Sequence, residues 1–263
     1  MLVRRQNHGV TFYASPLLER AGIPHAFSTR LGGISETPFD SMNLGNPSGC
    51  DVQDDDAKIS QNYRLLQAAI GCGDRERFWV HQVHGGDVVL AAGNAPLGQK
   101  ADAIVTTEPG RVLAIRVADC VSILLATRNG RTVAGVHAGW RGVIAGALAN
   151  AITAMNAAPA ELLAAIGPCI GFESFEVGPE VLAEFERAFP DHPPIARYGD
   201  ATGKGTVDLP AAVRRQLLSI GLTDSQIDST DRCTYRNQDE FFSHRRDRGI
   251  TGRMAALIAC RKS

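Results

Sequence analysis

The stretch VSILLATRNGRTVAGVHAGWRG, residues 121–142, constrains the fold more than any other part of the chain. Two apolar, β-branched-rich runs, 121–127 and 131–137, flank Asn129-Gly130. Asn-Gly between such runs favours a two-residue type I′ turn, whose twist matches that of the strands it joins. With that loop, Arg128 faces Arg131, Thr127 faces Thr132 and Ser122 faces His137. The second strand then runs through Ala138-Gly139 into a helix over about 142–156. Adjacent antiparallel strands of this kind do not fit a regular βαβ winding, so the predicted class is α/β with a mixed sheet.

That register has a chemical consequence. Cys120 lies two residues before Ser122, so its side chain shares a face with His137. The two are diagonal cross-strand neighbours, with Cα atoms roughly 7–8 Å apart. A thiolate and an imidazole at that spacing can converge on one ion, since Zn–S is about 2.3 Å and Zn–N about 2.0–2.1 Å. RFWVHQVHGGDV, residues 77–88, supplies two candidates for a third ligand, His81 and His84. Three apart, they face opposite ways on a regular strand and only one can join. His84 precedes Gly85-Gly86, which places it at the strand's end and open to an ion. Two His and one Cys leave a fourth tetrahedral position for water or substrate, as in catalytic zinc sites.

Elsewhere the pattern predicts a polar loop over 28–49 and a helix over 54–70 stopped by Gly71. Strands are expected at about 77–84, 103–106 and 111–118, and within 161–171. Helices follow at 179–189, opening on Pro179, and at 209–220, opened by Asp208 and Pro210 and closed by Gly221. The C-terminal run GRMAALIAC reads as a strand. Residues 190–206 are linker-like but too short to need a boundary, so 1–263 is read as one domain.

The six cysteines stand singly, without disulfide-scaffold spacing. No secretory leader pattern follows the first arginines, and no run of about eighteen apolar residues exists, so a cytoplasmic protein without a membrane partner is expected. The formal net charge of −1 argues against a nucleic-acid partner recognised by bulk charge.

Several further motifs accompany the hairpin: FSTRLGGIS (27–35), SMNLG (41–45), QVHGGDV (82–88), ADAIVTTEPG (101–110), VADCVSILL (117–125), VAGVHAGWRG (133–142), IGPCIGFESFEVGPEV (166–181) and FFSHRRDRGITGRMAALI (241–258). In this order they resemble the successive motifs of the family once called multicopper polyphenol oxidases or laccases and now associated with purine nucleoside phosphorylase activity. The resemblance spans about residues 25–260. It implies a single α/β domain with central mixed β-sheets packed between helices, and a catalytic Zn2+ on His84, Cys120 and His137. It also implies phosphorolysis of adenosine, inosine, guanosine and methylthioadenosine, with adenosine deaminase activity beside it. An older attribution is copper-dependent phenol oxidation, and some bacterial relatives are linked to the editing of peptidoglycan precursors. Three departures stand out: Asn46-Pro47-Ser48-Gly49-Cys50-Asp51 after NLG, Ser122 where proline is common, and His244 in place of a usual tyrosine.

Ser28, Arg30 and Asn43 match motif positions in the N-terminal loop and are expected substrate contacts. Arg141, with the N–H groups of the helix after Gly139, is the expected phosphate site. Asp119 neighbours the cysteine ligand, but on a regular strand its side chain points away. The multicopper reading is chemically weak, because only His8, His25, His81, His192 and His244 remain for further copper, without His-x-His pairs. Copper in place of zinc would still support weak oxidase activity. A cysteine hydrolase with Cys120 as nucleophile, and a non-enzymatic zinc module, are the alternatives from other classes.

Overall fold

The computed structural model describes residues 1–190, 195–199 and 203–262. The strands, in chain order, are β1 Val3–Asn7, β2 Val10–Ala14, β3 His25–Ser28, β4 Glu76–Trp79, β5 Val88–Leu90, β6 Ala103–Thr106, β7 Arg111–Val117, β8 Val121–Thr127, β9 Val133–Ala138, β10 Leu162–Ile166, β11 Glu176–Val177, β12 Ala196–Tyr198, β13 Gly205–Val207, β14 Ile227–Asp228 and β15 Met254–Ala259. The helices are α1 Pro16–Arg20, α2 Asp56–Ala69, α3 Trp140–Ile144, α4 Ala147–Met155, α5 Pro179–Ala188 and α6 Leu209–Ile220. Among the described residues, one six-stranded sheet runs β1-β2-β3-β15-β7-β4, and a second runs β14-β10-β8-β9-β6-β5. Both are mixed, as expected: β4 pairs parallel with β7, β5 with β6 and β10 with β14, while the other pairs are antiparallel.

Strand parity sorts the side chains into layers. Leu113 and Ile115 of β7 and Ala256 and Ile258 of β15 meet Leu124 and Ala126 of β8 and Val133 of β9 in a core between the sheets. The alternate residues Val112, Ala114, Ala255 and Leu257 meet Tyr63 and Leu66 of α2 on the outer face of the first sheet. Val121, Ile123, Leu125, Ala134 and Val136 meet α4, α5 and α6 on the outer face of the second. Central strands are therefore buried on both faces, which explains their unbroken apolar runs. No described helix is long and apolar enough to cross a membrane.

The hairpin forms in the expected register, with Ser122 opposite His137 and Ala126 opposite Val133. Its turn differs. Only Gly130 takes a left-handed conformation, at φ +69°, so the turn is not type I′, which needs both central residues there. The Gly130 N–H donates to the Thr127 carbonyl at 2.8 Å, and Asn129 Oδ1 accepts from the Arg131 N–H and the Thr127 hydroxyl. A four-residue loop closed by Thr127 and Thr132 lengthens the turn by one residue on each side and leaves the pairing unchanged.

The expected helix over 142–156 is two helices, α3 and α4, because Gly146 at φ +75° breaks it. The expected strand over 77–84 ends at Trp79. Helix α2 begins after Asp55, whose side chain accepts from Ala57 N–H, and α6 runs from the Asp208 cap to Gly221 at φ +109°. The linker-like reading of 190–206 falls partly outside the described residues; β12 and β13 lie within what is described and pair antiparallel.

Candidate metal centre

His137 shares the inward face of β9 with Gly135, where a Cβ would lie 2.8 Å from Ile115 of the first sheet. The imidazole therefore stands at the end of the inter-sheet core, where β8 begins and β9 ends. Cys120, packed against the same core, arrives from the link between β7 and β8. Asp119 turns that link with φ +95°. Its buried carboxylate accepts from the Thr234 hydroxyl at 2.6 Å and the Arg245 N–H at 2.7 Å. The carboxylate is thus engaged by these two partners and anchors the loop that carries His244; because the link is not regular strand at this φ, the strand parity expected for Asp119 does not apply.

His84 reaches the same place by another route. It lies beyond β4, in a loop, with φ +61°. The loop is held by the fully buried Asp102, whose carboxylate accepts from the N–H groups of Val83, His84 and Gly85 at 3.2, 3.0 and 2.6 Å. Asp102 Oδ1 also accepts from His137 Nδ1 at 2.7 Å. One carboxylate therefore sets the position of both imidazoles and leaves the other His137 nitrogen turned toward the Cys120 thiol. Gly139 completes the fit: a Cβ there would lie 3.0 Å from Cys120 Sγ and 3.1 Å from His84 Cδ2.

The ligand atoms of His84, Cys120 and His137 all lie within 4.8 Å of one another, the one such group among the described residues. The two imidazoles meet edge to face at 4.9 Å. Burial opposes ionisation of the Cys120 thiol, but His137 and His84 outweigh it and bring its pKa down to about 6. Burial also opposes the charge on His137, but the Cys120 thiolate and the Asp102 hydrogen bond carry it up to about 9. A thiolate with two imidazoles, one oriented by a carboxylate, is the donor set of a soft or borderline transition-metal ion. The residues fit such an ion.

A cavity of about 250 Å³ opens on these three residues. His81, Gln82, Asn46, Arg116, His244 and Arg253 also line it, and no carboxylate does so among the described residues. His81 thus faces the cavity without belonging to the ligand group. Burial and the nearby Arg253 hold the His244 pKa below the usual histidine value. The other residues expected at the site lie elsewhere. The Ser28 hydroxyl accepts from the Ala255 N–H at 3.0 Å, inside the fold. Arg30 bonds the Asp40 carbonyl at 2.8 Å, pairs with its carboxylate at 3.1 Å and lies over Phe242. Asn43 is buried, and its Oδ1 accepts from the N–H groups of Gly45 and Arg253. Arg141 is exposed and stacks on Trp140, and α3 is a single short turn rather than a long helix with an anion-binding end.

Sequence reasoning missed Asp102, Arg116 and Arg253. The legible signals were an acid at the start of a buried strand in ADAIV and a lone cation in the apolar run VLAIRV.

The profile of a family described as multi-copper polyphenol oxidoreductase laccase matches residues 24–261. The chain belongs to that family. Among its relatives, the protein named purine nucleoside phosphorylase YfiH from Escherichia coli is 39% identical over 237 residues, covering 90% of this chain and 93% of that one. A purine nucleoside phosphorylase from Deinococcus radiodurans is 37% identical over 248 residues, covering 92% of each. The crystal structure of YlmD from Geobacillus stearothermophilus superposes with a TM-score of 0.88 at 32% identity over 100% of both chains. For a family named after several coppers, this member shows one three-ligand group among its described residues. Of the remaining histidines, His8 is exposed in the turn between β1 and β2, His25 is engaged with backbone, His81 and His244 line the cavity, and His192 lies outside the described residues.

Proposed function

We propose that this protein is a zinc-dependent phosphorylase of purine nucleosides, yielding the free base and ribose 1-phosphate. The observation that carries the reading is a metal-ligand group opening into a cavity whose fixed charges are cationic, Arg116 and Arg253, with no carboxylate among the described lining residues. Such a cavity suits an attacking oxyanion. The relatives named purine nucleoside phosphorylases support it.

In this reading His84, Cys120 and His137 hold the metal, which when bound supplies a Lewis acid beside the reacting centre. Arg116 and Arg253 bind and orient phosphate through charge-assisted hydrogen bonds. A phosphate oxygen attacks the ribose anomeric carbon as the bond to purine N9 breaks and its electron pair passes to the base. His244, with its pKa held down, is a neutral imidazole whose N–H hydrogen-bonds the departing purine. Asp102 keeps both histidine ligands in place. Adenosine deamination fits the same ligands less well, because zinc deaminases use a glutamate to move protons and no described lining residue is one.

A second reading has its own support: Cys120, His137 and Asp102 also form a nucleophile, base and orienting carboxylate. Chelation separates the two. Hypoxanthine release from inosine should require phosphate and fall to background after metal removal, returning on reloading with zinc. Release that survives chelation would overturn the zinc requirement, and release absent under every loading would overturn the phosphorylase reading and move the cysteine hydrolase forward.

A further inference from the structure

The outer face of the first sheet carries a second cavity, of about 460 Å³, which shares Asn46 and Arg116 with the metal cavity. Strand parity builds it. Arg77 and Trp79 alternate along β4, and Arg116 follows Ala114 by two on the adjoining β7, so all three emerge on the face that α2 covers. Tyr63 of α2 lines the opposite wall. At Gly45 a Cβ would lie 2.9 Å from Arg116 Cδ and 3.2 Å from its Nη1, so a side chain there would displace the guanidinium shared by the two cavities.

The charge in this cavity is unbalanced. The Arg77 guanidinium lies 3.7 Å from the Tyr63 ring centroid and that of Arg116 lies 5.6 Å from the Trp79 ring. Among the described residues neither guanidinium has a hydrogen bond or an ion pair. The one carboxylate lining the cavity, Asp56, is exposed in the first turn of α2 and pairs with neither. Tyr63 is only 4% exposed, and its hydroxyl has no hydrogen-bond partner among the described residues. Stacking fixes a guanidinium plane while leaving its N–H edge open to a ligand. Two such forks and a phenolic hydroxyl match the several acceptor oxygens of a phosphate group.

We propose that this cavity is a phosphoryl-binding subsite, in which Arg77, Arg116 and Tyr63 hold a phosphate group, either free or carried on a small molecule that reaches the metal cavity past Arg116. It is a second position, set apart by Arg77 and Tyr63 and sharing Arg116 with the oxyanion position proposed beside the metal group.

Trp79 makes the test direct, because the chain has two tryptophans and the other, Trp140, lies outside this cavity. In the Trp140→Phe protein, with chelator present throughout, Trp79 fluorescence is followed during titration with inorganic phosphate, adenosine 5′-monophosphate and adenosine at constant ionic strength. Phosphate and the monophosphate should each give a saturable change, and adenosine none. Arg77→Gln should weaken the response by about tenfold or more, and Tyr63→Phe by a smaller factor, as expected for lost charge-assisted and neutral hydrogen bonds. Monophosphate binding about tenfold tighter than phosphate identifies a carried phosphoryl group; equal affinities identify free phosphate. A response no greater than that to sodium chloride, or one unchanged in both variants, would overturn the proposal. The readout involves no turnover, so it stands or falls separately from the phosphorylase reading.

Discussion

Two buried histidines in this fold sit close to buried aspartates, and only one of them joins a group that could hold a metal ion. His137 and His25 are 3% and 4% exposed, and Asp102 and Asp228 are 0% and 7%. At His25 both ring nitrogens are engaged with backbone: Nε2 accepts from the Ser15 N–H at 2.7 Å, which makes Nδ1 the donor to the Ile23 carbonyl at 2.8 Å. Asp228 does not touch the ring; it accepts from the Ser15 hydroxyl and the Leu17 N–H, bracing the start of α1. Burial, against weaker opposing effects, holds the His25 pKa below its ordinary value. At His137 one nitrogen is held by Asp102 and the other has no backbone partner, while Cys120 and His84 converge beside it. There the thiolate and the carboxylate win over burial, and the pKa rises. Burial and a nearby acid are therefore not the signature of a site; a ring nitrogen turned toward other ligand-type side chains rather than backbone is.

The largest test of this contrast is a matched pair of substitutions. Asp102→Asn should weaken metal binding by about 10–100-fold, the usual cost of losing the partner that orients a metal-ligating histidine. Asp228→Asn should leave metal affinity within error of the parent protein. Competition with a chromophoric chelator measures both, and equal losses at the two aspartates would erase the distinction.

His25→Leu should act in the opposite sense. It leaves the Ser15 N–H and the Ile23 carbonyl unpaired in the interior, costing about 1–3 kcal/mol in urea unfolding, with metal stoichiometry unchanged. Loss of metal without loss of stability would make His25 part of the site after all.

The smallest effect is in pH dependence. Because folding lowers the His25 pKa from about 6.5, the unfolded chain takes up this proton first as pH falls. Its contribution to stability is complete above about pH 6.5 and declines below it. Subtracting the unfolding free energies of His25→Leu from those of the parent between pH 5 and 7, both free of metal, should give a difference that shrinks toward acid. A difference that grows toward acid would contradict the assignment.

The same contrast explains what was legible in the chain. The diagonal pairing of Cys120 with His137 could be read from residue spacing because a hairpin register is a local property. It survived even though Asn129 did not adopt the expected turn conformation. His84 was found for an incomplete reason: its strand ends at Trp79, and Asp102, from a separate segment, holds the loop that brings it in. Arg141 looked well placed beside His137 in sequence, yet it stacks outward on Trp140. Asn43, expected at the substrate, instead braces the backbone of Arg253, a residue that does face the cavity.

By itself the sequence determined the mixed α/β character, most element positions and the thiol–imidazole pair, because alternation, turn chemistry and capping act over a few residues. Tertiary structure alone decided which histidine nitrogen faced side chains rather than backbone, that Asp102 would tie His84 and His137 together, and that Arg116 and Arg253 would supply the cavity's charge. Those outcomes depend on segments far apart in the chain meeting at the open end of the inter-sheet core, where long-range packing rather than local preference sets position.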